Sequence, residues 1–335
     1  MAGMYYLLLG DFEHANERKD GITLTTAENN ECILETVNLS KKYKDVYAVH
    51  NVNMTINKGD IYGFVGENGA GKTTIIRLIT GLASPTEGTF YLFGEERSGA
   101  VKNRRVAGIV ENVSLNRSMN AIENLKYQCY ICGITKTNEE LAQVLADVGL
   151  DPNSIGKKTV KNFSLGMRQR LGIASVIIQD PELVLLDEPM NGLDPQGFVD
   201  MRNTIVRLNR KGITFLISSH ILSELDKVCN RIGLISKGIL LDEVSVGTLH
   251  SKSTAKTLID FDSAEEAAAA QRQFYASEHL NSTVLSDKTI TVYGSADIND
   301  IIAFLVSKNI RISSINLKEK TVEDYYIEKV RGQNG

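Results

Sequence analysis

The hydrophobic pattern begins only after the first thirty positions. Residues 5–9 form a short apolar run, and polar residues follow from Asp11 to Asp20 with no sustained period. Residues 1–30 therefore read as a loosely ordered extension. From Glu31 the pattern changes: residues 33–37 (ILETV) are predicted as a strand, and residues 48–56 (AVHNVNMTI) alternate as a second. Residues 57–60 (NKGD) spell a turn. Residues 61–65 (IYGFV) are a short β-rich strand that runs into a glycine-rich loop, and residues 74–82 a helix. Residues 120–148 read as mostly helical, with Asn120 as N-cap and Leu141, Val144, Leu145 and Val148 spaced i, i+3, i+4, i+7. Apolar strands follow at 183–186, 213–218 and 232–235, separated by helical stretches. Strand–helix alternation over this length predicts an α/β fold, a mostly parallel sheet with helices on its faces.

Beyond Leu249 the character shifts. Residues 257–261 and 263–274 read as a strand and an alanine-rich helix, 282–285 and 289–293 as two strands around a turn at 286–288, 297–307 as an amphipathic helix and 310–317 as a strand. The order β-α-β-β-α-β predicts a small α+β accessory domain of ferredoxin-like type over residues 255–330. A short helix at 322–330 closes the pattern, and no internal repeat occurs.

Length and charge narrow the classes. A chain of 335 residues with 42% apolar composition can build one large α/β domain and an appendage. Lys and Arg number 37 against 41 Asp and Glu, a net charge of −4. No basic field points to nucleic acid or anionic lipid. No apolar run approaches the ~18 residues of a membrane-spanning helix, and residues 5–9 lack the basic flank of a secretory signal. Of the four cysteines, Cys129-x-x-Cys132 lacks a second ligand pair for zinc and a βαβ context for redox chemistry. The pair reads as two small apolar residues on a helix.

Candidate chemistry starts at Gly66-Glu67-Asn68-Gly69-Ala70-Gly71-Lys72-Thr73, a complete G-x-x-x-x-G-K-[ST] between a predicted strand and a predicted helix. The glycines let successive backbone N–H groups face phosphate, and the helix N-terminus, which Thr74 continues, adds partial positive charge. Lys72 supplies a point charge to the β/γ-phosphates, and the Thr73 hydroxyl suits Mg²⁺. Nucleotide binding follows. The strand 183–186 then ends in Asp187-Glu188-Pro189, which sets two carboxylates at the edge where open α/β sheets bind ligands. Asp187 suits the metal, and Glu188 the attacking water. The strand 213–218 delivers Ser218-Ser219-His220 to a matching edge, and His220 is placed to bridge the γ-phosphate and that water. His14, His50, His250 and His279 have no such context and read as structural.

With these residues in place, the region from about Glu31 to Leu249 resembles the ATP-binding subunits of ABC transporters. The most specific mark is Asn162-Phe163-Ser164-Leu165-Gly166-Met167-Arg168-Gln169-Arg170, which is similar to the family's signature loop and lies between the phosphate loop and the Asp-Glu strand. The resemblance implies a P-loop ATPase core at 31–249 with antiparallel β and helical subdomains, the helical one at about 112–161. It implies that Tyr43 (or Tyr47) stacks on adenine and that Glu111 sits where a Gln normally lies near Mg²⁺. It also implies that the loop Asn191-Gly192-Leu193-Asp194 meets an opposite subunit. Two copies, or one copy and a paralogue, would close head to tail around two ATP, with Ser164 and Gly166 of one facing the phosphates of the other. Hydrolysis would then drive a separate multi-spanning permease from the cytoplasmic face of a bacterial membrane.

Three residues depart from the family pattern: Glu111 for Gln, Leu165 for a signature Gly, and Met167 for a signature Gln. The Phe-Ser-Leu-Gly-Met spelling resembles the branch of bacitracin-resistance and lantibiotic-immunity ATPases, exporters of antimicrobial peptides or drugs. A non-transport ATPase of the ribosome or chromosome is the second class. Its relatives carry two such domains or long coiled coils, and this chain has one phosphate loop and no heptad array. A regulatory subunit that binds nucleotide without turnover is the third, and Lys72, Asp187, Glu188 and His220 count against it.

Overall fold

The structure, a computed structural model, describes residues 31–97, 104–111, 114–251, 256–276, 281–286, 288–293, 297–318, 325, 326 and 329. The extension at 1–30, Asp287 of the expected turn and most of the expected 322–330 helix lie outside the described residues. Strand β1 (Cys32–Tyr43) is much longer than the five residues its apolar pattern marks. It continues because the left-handed Lys44 (φ 53°) turns it into β2 (Val46–Val52), with Tyr43 paired to Val46. The expected 48–56 strand breaks in two, and β3 (Thr55–Asn57) pairs with β1 separately. Thr36 explains the break: its hydroxyl donates to Val52 O and accepts from Met54 N, both at 2.9 Å, and so occupies a rung of the ladder.

Strand β4 (Ile61–Val65) is buried along its whole length and leads through the glycine loop into helix α1 (Lys72–Ile79). Strands β5 (Glu87–Leu92) and β6 (Glu95–Arg97) complete an antiparallel sheet in the order β2-β1-β5-β6, with β3 also on β1. Strand β7 (Val106–Ile109) follows, and then a helical excursion. It comprises α2 (Ala121–Cys132), α3 (Asn138–Asp147), the short α4 (Pro152–Ile155) and α5 (Leu165–Ile177). Asn120 caps α2 as the sequence predicts, and it does so reciprocally: its side chain accepts from Glu123 N while Glu123 accepts from the Asn120 N–H. Thr137 and Glu140 repeat that capping box on α3. Leu125, Leu141, Leu145 and Val148 are fully buried where these helices pack on α5.

The chain then returns through β8 (Leu183–Asp187), α6 (Pro195–Arg210), β9 (Thr214–Ser219), α7 (Leu222–Leu225), β10 (Arg231–Ser236) and β11 (Ile239–Ser245). The second sheet has the order β11-β10-β4-β9-β8-β7, and β10, β4, β9, β8 and β7 pair in parallel. Strands β4, β8 and β9 have no exposed residue, as expected for parallel strands covered on both faces. Helix α1 packs with residues of both sheets in one core that includes Leu34, Val49, Phe64, Ile75, Ile76 and Leu185. Helix α1 and its phosphate loop are thereby held from two sides.

The chain divides into two compact units at Val244 and Ser245. The second contains α8 (Val246–Ser251), β12 (Lys256–Asp260), α9 (Ala264–Ala276), β13 (Asn281–Ser286), β14 (Thr289–Tyr293), α10 (Ile298–Ser307) and β15 (Ser314–Lys318). From β12 onward the elements run β-α-β-β-α-β, and the sheet order is β13-β14-β12-β15 with every pair antiparallel. Ile259, Phe274, Ile290, Val292 and Leu305 build a core of their own. The strand expected at 310–317 begins only at Ser314: the Ile310 N–H is spent on Leu305 O at the end of α10, and the chain reaches β12 only where the Ser313 N–H meets Asp260 O.

Candidate nucleotide site

Strand β4 is a central strand of the parallel sheet, so the loop after it emerges at the carboxyl edge beside β9 and β10. Its shape depends on glycine. A Cβ on Gly66 would lie 2.2 Å from Ile235 O, a backbone atom that cannot move aside. Gly71 is left-handed (φ 110°) at the N-cap of α1, and a Cβ there would lie 2.6 Å from Ala48 O. The loop curls tightly because neither position carries a side chain. Lys72, 5% exposed, sends its Nζ back over the loop to Gly66 O (2.6 Å) and Glu67 O (3.1 Å).

The register of the parallel strands brings the remaining groups to the same edge. Asp187 at the end of β8 pairs with Ser218 of β9. Each carboxylate oxygen of Asp187 accepts one hydroxyl: Oδ1 from Ser218 at 2.5 Å and Oδ2 from Thr73 at 2.8 Å. Ser218 Oγ also accepts the Glu188 N–H at 2.9 Å. Glu188 adopts a left-handed conformation (φ 48°), which costs a non-glycine residue on the order of 1–3 kcal/mol and persists only where the surroundings fix it. They do so here. One carboxylate oxygen lies 3.4 Å from Lys72 Nζ, and the other accepts from His220 Nδ1 at 2.8 Å. An ionised carboxylate only accepts, so Nδ1 carries the proton and a neutral His220 has an acceptor at Nε2.

Of the residues singled out in the sequence, Lys72, Thr73, Asp187, Glu188 and His220 therefore form one connected cluster. Ser218, in sequence only one member of a polar cluster at a strand end, sits at its centre. Its signal is only the strand register. Thr73 and Asp187 present hard oxygen donors side by side, the donor chemistry that suits Mg²⁺. Glu111 behaves differently: its carboxylate is ion-paired with Arg77 of α1. Tyr43 is 45% exposed at the end of β1, with Lys41 Nζ 5.2 Å from its ring centroid. Tyr47 instead donates its hydroxyl to Glu87 and packs on His50, so Tyr43 has the freer ring.

The signature-like segment starts α5. Ser164 is its N-cap, and its Oγ accepts from Met167 N at 3.2 Å. Leu165 lies on the loop that contains Gly192, where a Cβ would be 3.2 Å from Leu165 Cδ2, and Gly166 faces Leu193. Gln169 donates to Asn191 O at 3.3 Å. The segment and the loop after Glu188 thus form one surface. Cys129 and Cys132 lie on the last turn of α2 as free thiols whose pKa burial pushes up, so neither is an activated nucleophile.

The ABC transporter family profile matches residues 49–191. The chain is 36% identical over 307 residues to the bacitracin transport ATP-binding protein BcrA of Enterococcus faecalis, which covers 90% of this chain and 97% of that protein. Its counterpart in Bacillus licheniformis is 38% identical over 304 residues, 90% of this chain and 98% of the relative. The lantibiotic transport ATP-binding protein SrtF of Streptococcus pyogenes is 41% identical over 211 residues, 63% of this chain and 90% of its own length. Among solved structures, the ADP conformation of an ATP-binding cassette of an ABC transporter matches with TM-score 0.59 at 24% identity. It covers 66% of this chain and 95% of the cassette. That likeness shows the fold.

Proposed function

Since the chain belongs to the ATP-binding proteins of ABC transporters, we propose that it hydrolyses ATP to drive a separate membrane permease that exports a peptide antibiotic. The site's carrying observation is the Lys72–Glu188–His220 arrangement beside Thr73, Asp187 and Ser218. The cargo class rests on near full-length likeness to proteins named for bacitracin transport. No helix of the described residues is long and apolar enough to cross a membrane. The proposed permease supplies the membrane path, and the ATPase works at the cytoplasmic face of a bacterial membrane.

In this reading the backbone N–H groups of Gly66 to Thr74, with Glu67, Asn68, Gly69, Ala70 and Gly71 between, line the phosphates, and Lys72 moves its charge onto them. Tyr43 offers its exposed ring to adenine. Thr73 Oγ1 and Asp187 would hold Mg²⁺, which would supply positive charge to neutralise the phosphates. Glu188 is the general base for water. His220 orients that carboxylate through Nδ1–H. Ser164 and Gly166 act on a second copy's nucleotide, or on that of a paralogue.

The test is deletion of the gene in its native host, with complementation by wild type or by Glu188→Gln. Wild type restores resistance to a bacitracin-type or lantibiotic peptide, and Glu188→Gln does not. Unchanged sensitivity to every such peptide on deletion would refute the cargo class. Pull-down of Glu188→Gln with ATP from native membranes tests the permease: a multi-spanning protein is expected, and ribosomes or DNA alone would refute the transport reading.

A further inference from the structure

A carboxylate at position 111 is awkward for a site that must accept a triphosphate. Strands β7 and β8 pair in parallel with Ile109 opposite Leu186, so Glu111 stands two residues beyond the pair, level with Glu188 at the same edge. That edge already carries Asp187 and Glu188. The structure gives Glu111 a partner of its own, the Arg77 guanidinium, which lies 34 residues away in the chain.

The reach is built into the packing. Arg77 and Thr80 are three residues apart on and just beyond α1 and share one face of it. Gly108 and Glu111 are three residues apart at the end of β7. A Cβ on Gly108 would come within 3.0 Å of Thr80 Cγ2 and 3.3 Å of Leu185 O. The bare backbone at Gly108 lets the end of α1 settle against β7, and one turn back Arg77 meets Glu111. Glu111 is also left-handed (φ 66°), a conformation that a non-glycine residue keeps only under constraint. Both side chains are partly exposed, 39% and 60%, and an ion pair of that kind adds little to global stability. Its value lies in where it holds charge.

We infer that Arg77 is a positioning residue for the ATPase: it holds the Glu111 carboxylate against α1 and cancels its charge at the edge where the triphosphate sits. This rests on the nucleotide-site reading above. Arg77 rides on the helix that starts with Lys72 and Thr73, and Glu111 lies two residues past the end of β7, where the chain departs for α2. The pair therefore also ties the phosphate-loop helix to the root of the helical excursion. Loss of Arg77 leaves a free negative charge that repels the incoming nucleotide.

Steady-state ATP hydrolysis by the full chain tests this, with KM for Mg-ATP and kcat read separately and thermal melts run in parallel. Arg77→Ala raises KM about threefold to tenfold, the size expected of one partly screened charge, and changes kcat less. The increase shrinks when NaCl is raised from about 50 to about 500 mM. Arg77→Lys retains most of the wild-type KM. Adding Glu111→Gln to Arg77→Ala removes the defect, and the exchanged pair Arg77→Glu with Glu111→Arg recovers it in part. An unchanged KM in Arg77→Ala overturns the inference, as does a defect that Glu111→Gln does not relieve or a loss of Tm with no KM change. If wild type fails to hydrolyse ATP, or Lys72→Ala hydrolyses it normally, the site reading itself has failed. If those controls behave and only the Arg77 series does not, the failure belongs to the positioning role alone.

Discussion

Glu188 accepts a left-handed backbone so that one carboxylate can face both Lys72 and His220. Glu188→Gln keeps the shape and removes the proposed base. ATP binding should persist while kcat falls about 100-fold or more, which single-turnover hydrolysis against equilibrium binding would separate. Ser218 offers a different test. It is fully buried, donates to Asp187 and accepts from Glu188 N. Ser218→Ala strands one acceptor and one donor, so urea denaturation should register a loss of about 1–3 kcal/mol alongside reduced hydrolysis. The contrast shows what a sequence yields at this scale. Lys72, Thr73 and Asp187 stand out because their spacing within local motifs is the chemistry. Ser218 does not, because a serine at a strand end acquires its role only when β8 and β9 align Asp187 with it. Glu111 is visible as a departure, but nothing near it names Arg77.

Elements were legible where burial is strong and monotonous. The apolar runs of β4, β8, β9 and β10 announce themselves, and so does the Asn120 cap. The pattern does not mark strands β5, β6, β7 and β11, since Glu87-Gly88-Thr89 or Asp242-Glu243 reads as polar surface. Strands β5 and β7 are held by partners distant in the chain, β1 and β8, and so is the Glu243 side chain of β11. Glu243 of β11 accepts from Tyr62 Oη at 2.8 Å and from Thr55 N at 3.3 Å, with Arg231 Nη2 at 3.7 Å. Burial nevertheless raises its pKa above the usual glutamate range. A folded-state pKa above the unfolded one means that Glu243 favours folding most below the unfolded value. That contribution is lost as pH rises through the folded value. In thermal melts across pH, Glu243→Gln should therefore gain on wild type as pH climbs from about 4 to 7. A constant or reversed difference would contradict that sign. The phosphate loop gives a second element-scale test. Gly69→Ala meets open space and pays only for its positive φ, about 1–2 kcal/mol, whereas Gly66→Ala must displace Ile235 O. Isothermal titration should find weakened ATP binding in the first and none in the second.

At the scale of the whole molecule, one chain ties its proposed catalytic edge and its signature-like segment to different neighbours. Lys72, Asp187 and Glu188 are tied to one another, while Ser164, Leu165 and Gly166 are tied to their own helix and to Gly192 and Leu193. Among the described residues no hydrogen bond joins Ser164 or Gly166 to the phosphate loop. The capped N-terminus of α5 carries no acidic residue in its first turn, and its partial positive charge suits a phosphate brought by another subunit. Leu165 is 39% exposed beside that terminus, so the surface offered to a partner gains an apolar contact where the family pattern has glycine. Nucleotide would then join two copies by bridging opposite charges, and hydrolysis would release them. Light scattering on Glu188→Gln should report a monomer without nucleotide and a dimer with Mg-ATP. Leu165→Glu, which sets a carboxylate against the γ-phosphate and against the apolar contact, should lower dimer formation at least tenfold while equilibrium binding of ATP to each monomer stays near that of Glu188→Gln. A Leu165→Glu variant that dimerises normally would move the γ-phosphate contact away from the start of α5, and would leave the half of the site built on Lys72 and Asp187 intact.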